Sequence, residues 1–181
     1  MRTVTIDPDK APQTRGVFEI AAWRVSDILK RHGDCDTFEP DRPGDIEPIM
    51  RWRHQNVIVN GYKRQVARLL AGSGMSQRFV NRFAFGTGGH AVNDPTTPIA
   101  PSPNDTGLER QVYIKSVTNI VFPTQESVQF QTVLTQSEAN GFRLTESGLI
   151  CADNTLLARR TFPGFIKTDE FVFSAFWTLI F

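Results

Sequence analysis

The sequence predicts a mainly β protein: an antiparallel β-sandwich-like domain with one packed α-helix, an extended N-terminal arm and a long Pro-rich loop. Three observations carry this. Residues 140–181 read with a period of two, setting Phe142, Leu144 and Glu146 on one face and Arg143, Thr145 and Ser147 on the other. Turn residues cut the stretch at Asn140-Gly141, Asp153-Asn154 and Pro163-Gly164, the pattern of consecutive antiparallel strands. The closing strand, 170–181, sets Phe171, Phe173, Ala175, Trp177, Leu179 and Phe181 opposite Val172, Ser174, Phe176, Thr178 and Ile180. A strand this apolar on both sides is buried on both faces or meets a partner chain.

The elements follow in order. Residues 1–16 are an extended arm: Pro8 and Pro12 lack amide donors, and the polar residues around them bury nothing. Composition favours a free tail over an arm that orders on a neighbouring subunit. Residues 17–181 form a single β-rich domain. Its first segment, 17–25, alternates as a strand although a helical stripe also fits, and a short helix then runs from a Ser26 cap to Gly33. The acidic stretch 34–45 matches no calcium-loop template and reads as a solvated loop. Strand 46–59 places Arg51 and Arg53 on one face and Trp52 and His54 on the other, a basic face over a buried ring. The one firm helix is 60–71, capped by Asn60, striped by Tyr62, Val66, Leu69 and Leu70, and stopped by Gly72. A strand over 79–85 leads into a projecting loop over 86–107, with Pro95, Pro98, Pro101 and Pro103. Strands over 108–122 and 128–134 complete the set.

With 181 residues the chain can bury a sizeable core, and a net charge of +1 gives no field that draws it to nucleic acid or a membrane. Fourteen Phe against two Tyr predict dry packing rather than adaptable recognition. Cys35 and Cys151, far apart in sequence, read as two reduced thiols. The polar first residues contain no export signal, and no apolar run reaches the roughly 18 residues of a spanning helix.

Motifs for catalysis are weak. Gly72-Ser73-Gly74 lacks the frame of a nucleophile elbow. His32, His54 and His90 fall in separate elements with no acid at a recognisable spacing. Gly86-Thr87-Gly88-Gly89 is followed by neither Lys-Ser/Thr nor a helix, so its glycines serve a tight strand exit rather than a phosphate. His32, Asp34, Cys35 and Asp36 are the densest potential metal ligands but fall short of a closed zinc site. No catalytic, cofactor-binding or metal-binding residue is predicted, and no enzyme activity.

A longer series of short motifs adds a resemblance. Asn56-Val57-Ile58-Val59-Asn60, the helix ending Leu70-Ala71-Gly72, Phe83-Ala84-Phe85-Gly86-Thr87-Gly88 and Asn104-Asp105-Thr106-Gly107-Leu108 come first. Glu138-Ala139-Asn140-Gly141, Thr145-Glu146-Ser147-Gly148-Leu149, Leu156-Leu157-Ala158-Arg159, Phe162-Pro163, Ile166-Lys167-Thr168 and the aromatic last strand follow. In this order they resemble a group of tailed-bacteriophage virion structural proteins, over about residues 50–181. The resemblance implies a β-rich domain of a neck, tail or fibre-attachment assembly, located in the virion, with no catalytic residues and no cofactor.

The expectation is therefore a subunit of an oligomeric ring or collar, partnered by its own copies and by other virion proteins, without direct nucleic-acid or membrane contact. The interface candidates are Phe171, Phe173, Phe176, Trp177, Phe181, Arg159 and Arg160. The alternatives are a receptor- or glycan-binding module of a tail fibre, which the few Tyr disfavour, a capsid decoration protein, and a metal-dependent hydrolase around His32 and Asp34.

Overall fold

Residues 14–40 and 45–181 are described by a computed structural model. The arm predicted over 1–16 falls largely outside them, and Arg15 and Gly16 already belong to the first strand; residues 41–44 of the acidic loop are also outside. The strands are β1 (Arg15–Arg24), β2 (Met50–Ile58), β3 (Val80–Gly86), β4 (His90–Ala91), β5 (Asp94–Pro98), β6 (Gln111–Ser116), β7 (Asn119–Thr124), β8 (Ser127–Leu134), β9 (Arg143–Cys151), β10 (Leu156–Ile166) and β11 (Phe171–Ile180). Two helices, α1 (Val25–His32) and α2 (Asn60–Leu70), accompany them.

Nine strands form one antiparallel sheet in the order β6-β3-β9-β10-β2-β1-β11-β8-β7, and β4 and β5 form a separate hairpin. Two features curl the sheet on itself. Strand β2 is shared at a corner: Met50 to Asn56 pair with β1, while Val57 and Ile58 pair with β10. The end strands β6 and β7 are joined through Val117 and Thr118. Val117 donates its N–H to Asn81 O of β3, and Thr118 donates to Gln131 O of β8, each at 2.8 Å. The hydroxyl of Thr132 closes the same seam on Ser116 O at 2.8 Å. Where sequence alternation suggested one strand over 108–122, the chain turns here between the two ends of the sheet.

Period-two alternation then sorts the side chains. Phe18, Ile20, Phe83, Phe85, Phe130, Phe162, Phe173 and Trp177 point inward to one core. Phe18 touches Trp177 with ring centroids 4.8 Å apart, and Phe165 stacks on Phe173 at 4.5 Å. On the outer face Trp23 and Val172 are covered by Val25, Ile28 and Phe38, so α1 packs on the sheet's outside. The closing strand is thus buried on both faces within its own chain, apart from its exposed end at Ile180 and Phe181.

Several local expectations change. Helix α1 begins at Val25 without a side-chain cap, one residue before Ser26, and ends at Gly33 in the left-handed region as predicted. Asn60 is the first residue of α2 rather than its cap, and its amide donates to Asn104 Oδ1 at 2.9 Å. The buried face of α2 is Gly61, Tyr62 and Gln65, while Leu69 and Leu70 are exposed. Gly61 sets that contact: a Cβ there would lie 2.2 Å from Leu156 O, so only glycine lets the helix sit on β10. Pro163-Gly164 does not end β10; the strand passes it with a register shift between Thr161 and Phe165.

Both cysteines are free thiols, Cys35 partly exposed and Cys151 buried. Burial pushes the Cys151 thiol up to about 12, and its S–H donates to Arg78 O. Timed alkylation at neutral pH should therefore modify Cys35 alone, with Cys151 reacting only after denaturant is added. Fast labelling of both in the folded protein would show that β9 opens locally.

Candidate functional site

Burial inside the chain covers most of the predicted interface set. Phe173 and Trp177 are buried in the core, and Phe176, on the outer face, is 5% exposed. Strand alternation reveals an apolar face but not whether the same chain covers it. Phe171 is half-buried against Phe173, and Phe181 remains exposed, 6.4 Å from the Tyr62 ring. Arg160 is half-buried with its guanidinium 5.2 Å from the Trp52 ring centroid and donates to Gln55 O.

Arg159 joins the chain's densest buried charge cluster. Its Nε and Nη2 donate to Glu146 Oε2 at 3.0 and 2.6 Å, and Nη1 donates to Asp105 Oδ2 at 2.7 Å. Burial disfavours the charged guanidinium, but hydrogen bonds and charge from Asp105 and Glu146 outweigh it and hold its pKa above the ordinary value. Glu146, fully buried, also accepts backbone N–H bonds from Gly88, Glu109 and Arg110. The glycine run makes room for this: a Cβ on Gly86 would lie 2.5 Å from Glu146 Oε1, and one on Gly88 2.9 Å from it. Arg159 and Glu146 thus clasp the 86–110 segment to the sheet. That segment was expected to project, yet it folds back. Its hairpin β4–β5 lies along β10, and Thr161 Oγ1 donates to Ile99 O at 2.7 Å.

Lys167 is the second buried charge. Its ammonium donates to Thr168 O at 2.7 Å, Asn140 Oδ1 at 2.9 Å and Gln136 O at 3.3 Å, one acceptor for each N–H. Burial pushes it down to about 8, against the charges of Asp169 and Glu138. The first cluster ties the 86–110 segment to β9 and β10, and Lys167 ties the loop after β10 to the loop between β8 and β9.

The potential metal ligands are dispersed. His32 pairs with Asp45 at 2.8 Å, while Asp34 accepts from the backbone of Asp36 and Thr37 and from the Thr37 hydroxyl. The His90 ring lies against the carbonyl oxygens of Thr87 and Ala91. His54 is exposed beside Trp52, with ring centroids 4.4 Å apart. These are turn and surface contacts of the fold.

The surface offers a different feature, which sequence alternation did not single out. Strand β7 ends the sheet, so one side of its backbone has no ladder partner among the described residues. It carries no charged residue, and Ile120 and Phe122 are exposed, Phe122 to 75%. Charged side chains normally blunt such an edge. Here only Pro123 does so, which confines pairing to Asn119–Phe122. Exposed Ile180 and Phe181 lie at the same end of the sheet, beside the β7–β8 turn: Ile180 is opposite Ser127, and Phe181 donates to Glu126 O. The signal for this site was present in the uncharged, aromatic run Asn119-Ile120-Val121-Phe122. That it forms an edge was not, because edge position depends on the order of strands in space.

No family, no curated protein and no solved structure matches this chain in comparison with known proteins.

Proposed function

We propose that the chain is a non-catalytic structural subunit of a tailed-bacteriophage virion, part of an oligomeric ring or collar in the neck or tail. The observation that carries the assembly part of this reading is the uncharged edge of β7 with exposed Ile120 and Phe122. A strand from a second copy or another virion protein would complete the sheet there, backbone bonds supplying affinity and the two side chains supplying register. The buried charges support the same reading, since each holds a loop in place. Placement in a virion rests on the order of sequence motifs over 50–181.

Light scattering after gel filtration tests the assembly. The wild-type chain should form an oligomer at high concentration, and Phe122→Asp should return it to a monomer with melting changed by no more than a few degrees. A wild-type chain that stays monomeric, alone and with the other virion proteins, would overturn this. A cryo-EM map of the intact particle that lacks the chain would overturn the virion assignment separately.

A further inference from the structure

The outer face of the curled sheet carries a groove of about 1050 Å³, at the upper end of the range for small-molecule sites. Strand register explains its shape. Arg53 pairs with Glu19, Glu19 with Phe176, Phe176 with Gln131, and Gln131 with Asn119, one continuous row across five strands. In the neighbouring row Ala21 pairs with Ser174, and these small side chains leave the floor low. The loop carrying Phe38 walls one end.

Three properties of this groove define what fits it. Its amides form a chain: Asn119 Nδ2 donates to Gln131 Oε1 at 3.1 Å, Gln131 Nε2 to Gln129 Oε1 at 2.9 Å, and Gln129 Nε2 to Thr178 Oγ1 at 3.0 Å. Each amide group retains donor or acceptor capacity after these bonds. Charges balance along the lining, with Glu19, Asp36 and Glu39 set against Arg51, Arg53 and Lys115 among the described residues. A polyanion would need an excess of positive charge, which is missing. Finally, Ser174, 1% exposed and on the floor, has a hydroxyl with no hydrogen-bond partner among the described residues. Buried hydroxyls are almost always partnered, so an orphan lining a polar groove points to a group that arrives from outside.

We infer that this groove binds a neutral oligosaccharide. Its hydroxyls donate to and accept from the Gln129–Gln131–Asn119 amides and donate to the Glu19 carboxylate, and one of them meets Ser174 Oγ. The groove shares Asn119 with the β7 edge, but Gln131 lies on β8, so Gln131→Ala should weaken glycan binding and leave the oligomer intact, which separates this inference from the assembly proposal.

The test is a printed array of neutral, sialylated and sulfated oligosaccharides probed with the labelled full chain, followed by titration calorimetry with the best neutral ligand. The wild type should retain at least one neutral glycan. Gln131→Ala and Asn119→Ala should each weaken it roughly tenfold, the loss of one well-made hydrogen bond. Lys63→Ala, on the exposed side of α2, should leave it unchanged. Circular dichroism of each variant separates lost binding from lost fold. The inference is overturned if no neutral glycan binds, if binding survives both amide replacements, or if only sulfated glycans bind.

Discussion

Glu146→Ala should cost about 3–5 kcal/mol of folding stability, the range for removing one partner of a buried ion pair. Two losses add. Arg159 keeps its charge in a buried site, and the N–H groups of Gly88, Glu109 and Arg110 lose their acceptor. For a chain of this size the melting temperature should fall by roughly 10 °C or more. Arg159 then keeps Asp105 as its close partner, so adding Arg159→Met should cost less in the Glu146→Ala background than in wild type, and the difference measures the Arg159–Glu146 coupling. Urea denaturation read by tryptophan fluorescence decides it. A single variant that unfolds within a few tenths of a kcal/mol of wild type would mean that water already reaches the cluster. Proteolysis offers a second readout, because the released 86–110 segment should be cut first.

Lys167→Met should destabilise the fold by about 2 kcal/mol. Three acceptors lose their donor, each worth about 1 kcal/mol or more, while the cost of holding a buried charge disappears and offsets part of that loss. Its pH signature is more specific. The folded pKa is about 8 against an ordinary 10.5, so between those values the unfolded chain binds the extra proton. Stability therefore rises with pH across that window, by the linkage relation, whereas a lysine raised by a partner would lose stability only above the ordinary 10.5. Denaturation midpoints measured from pH 7 to pH 11 should show this upward contribution in wild type and lack it in Lys167→Met. Identical slopes in the two proteins would remove the assignment to Lys167.

Much of the fold was legible because local chemistry and tertiary position agree. The alternation from Phe171 to Ile180, the turns at Gly141 and Asn154, and the stop at Gly33 are all where sequence places them. What could not be read depends on partners distant in the chain. Leu69 and Leu70 complete a helical stripe, yet α2 meets the sheet through Gly61 and Gln65, with Gln65 donating to Asp153 at 2.6 Å. Arg159 and Glu146 look like ordinary strand charges until β9 and β10 pair and the 86–110 segment lies over both. Phe176 and Trp177 satisfy the pattern of an interface residue as well as that of a core residue, and only the neighbouring strands decide between them. The same spatial ordering exposed Phe122.

The position of β1 between β2 and β11 bears on how the molecule is made. Its longest register of contacts is with β11, far along the chain, so a ribosome must extend the polypeptide through β11 before Phe18 and Trp23 acquire their final neighbours. Until then a greasy hairpin waits half-covered in the cell. Such distant pairing belongs with topologies that fold over milliseconds to seconds, a window in which sticking to other nascent chains competes with completion.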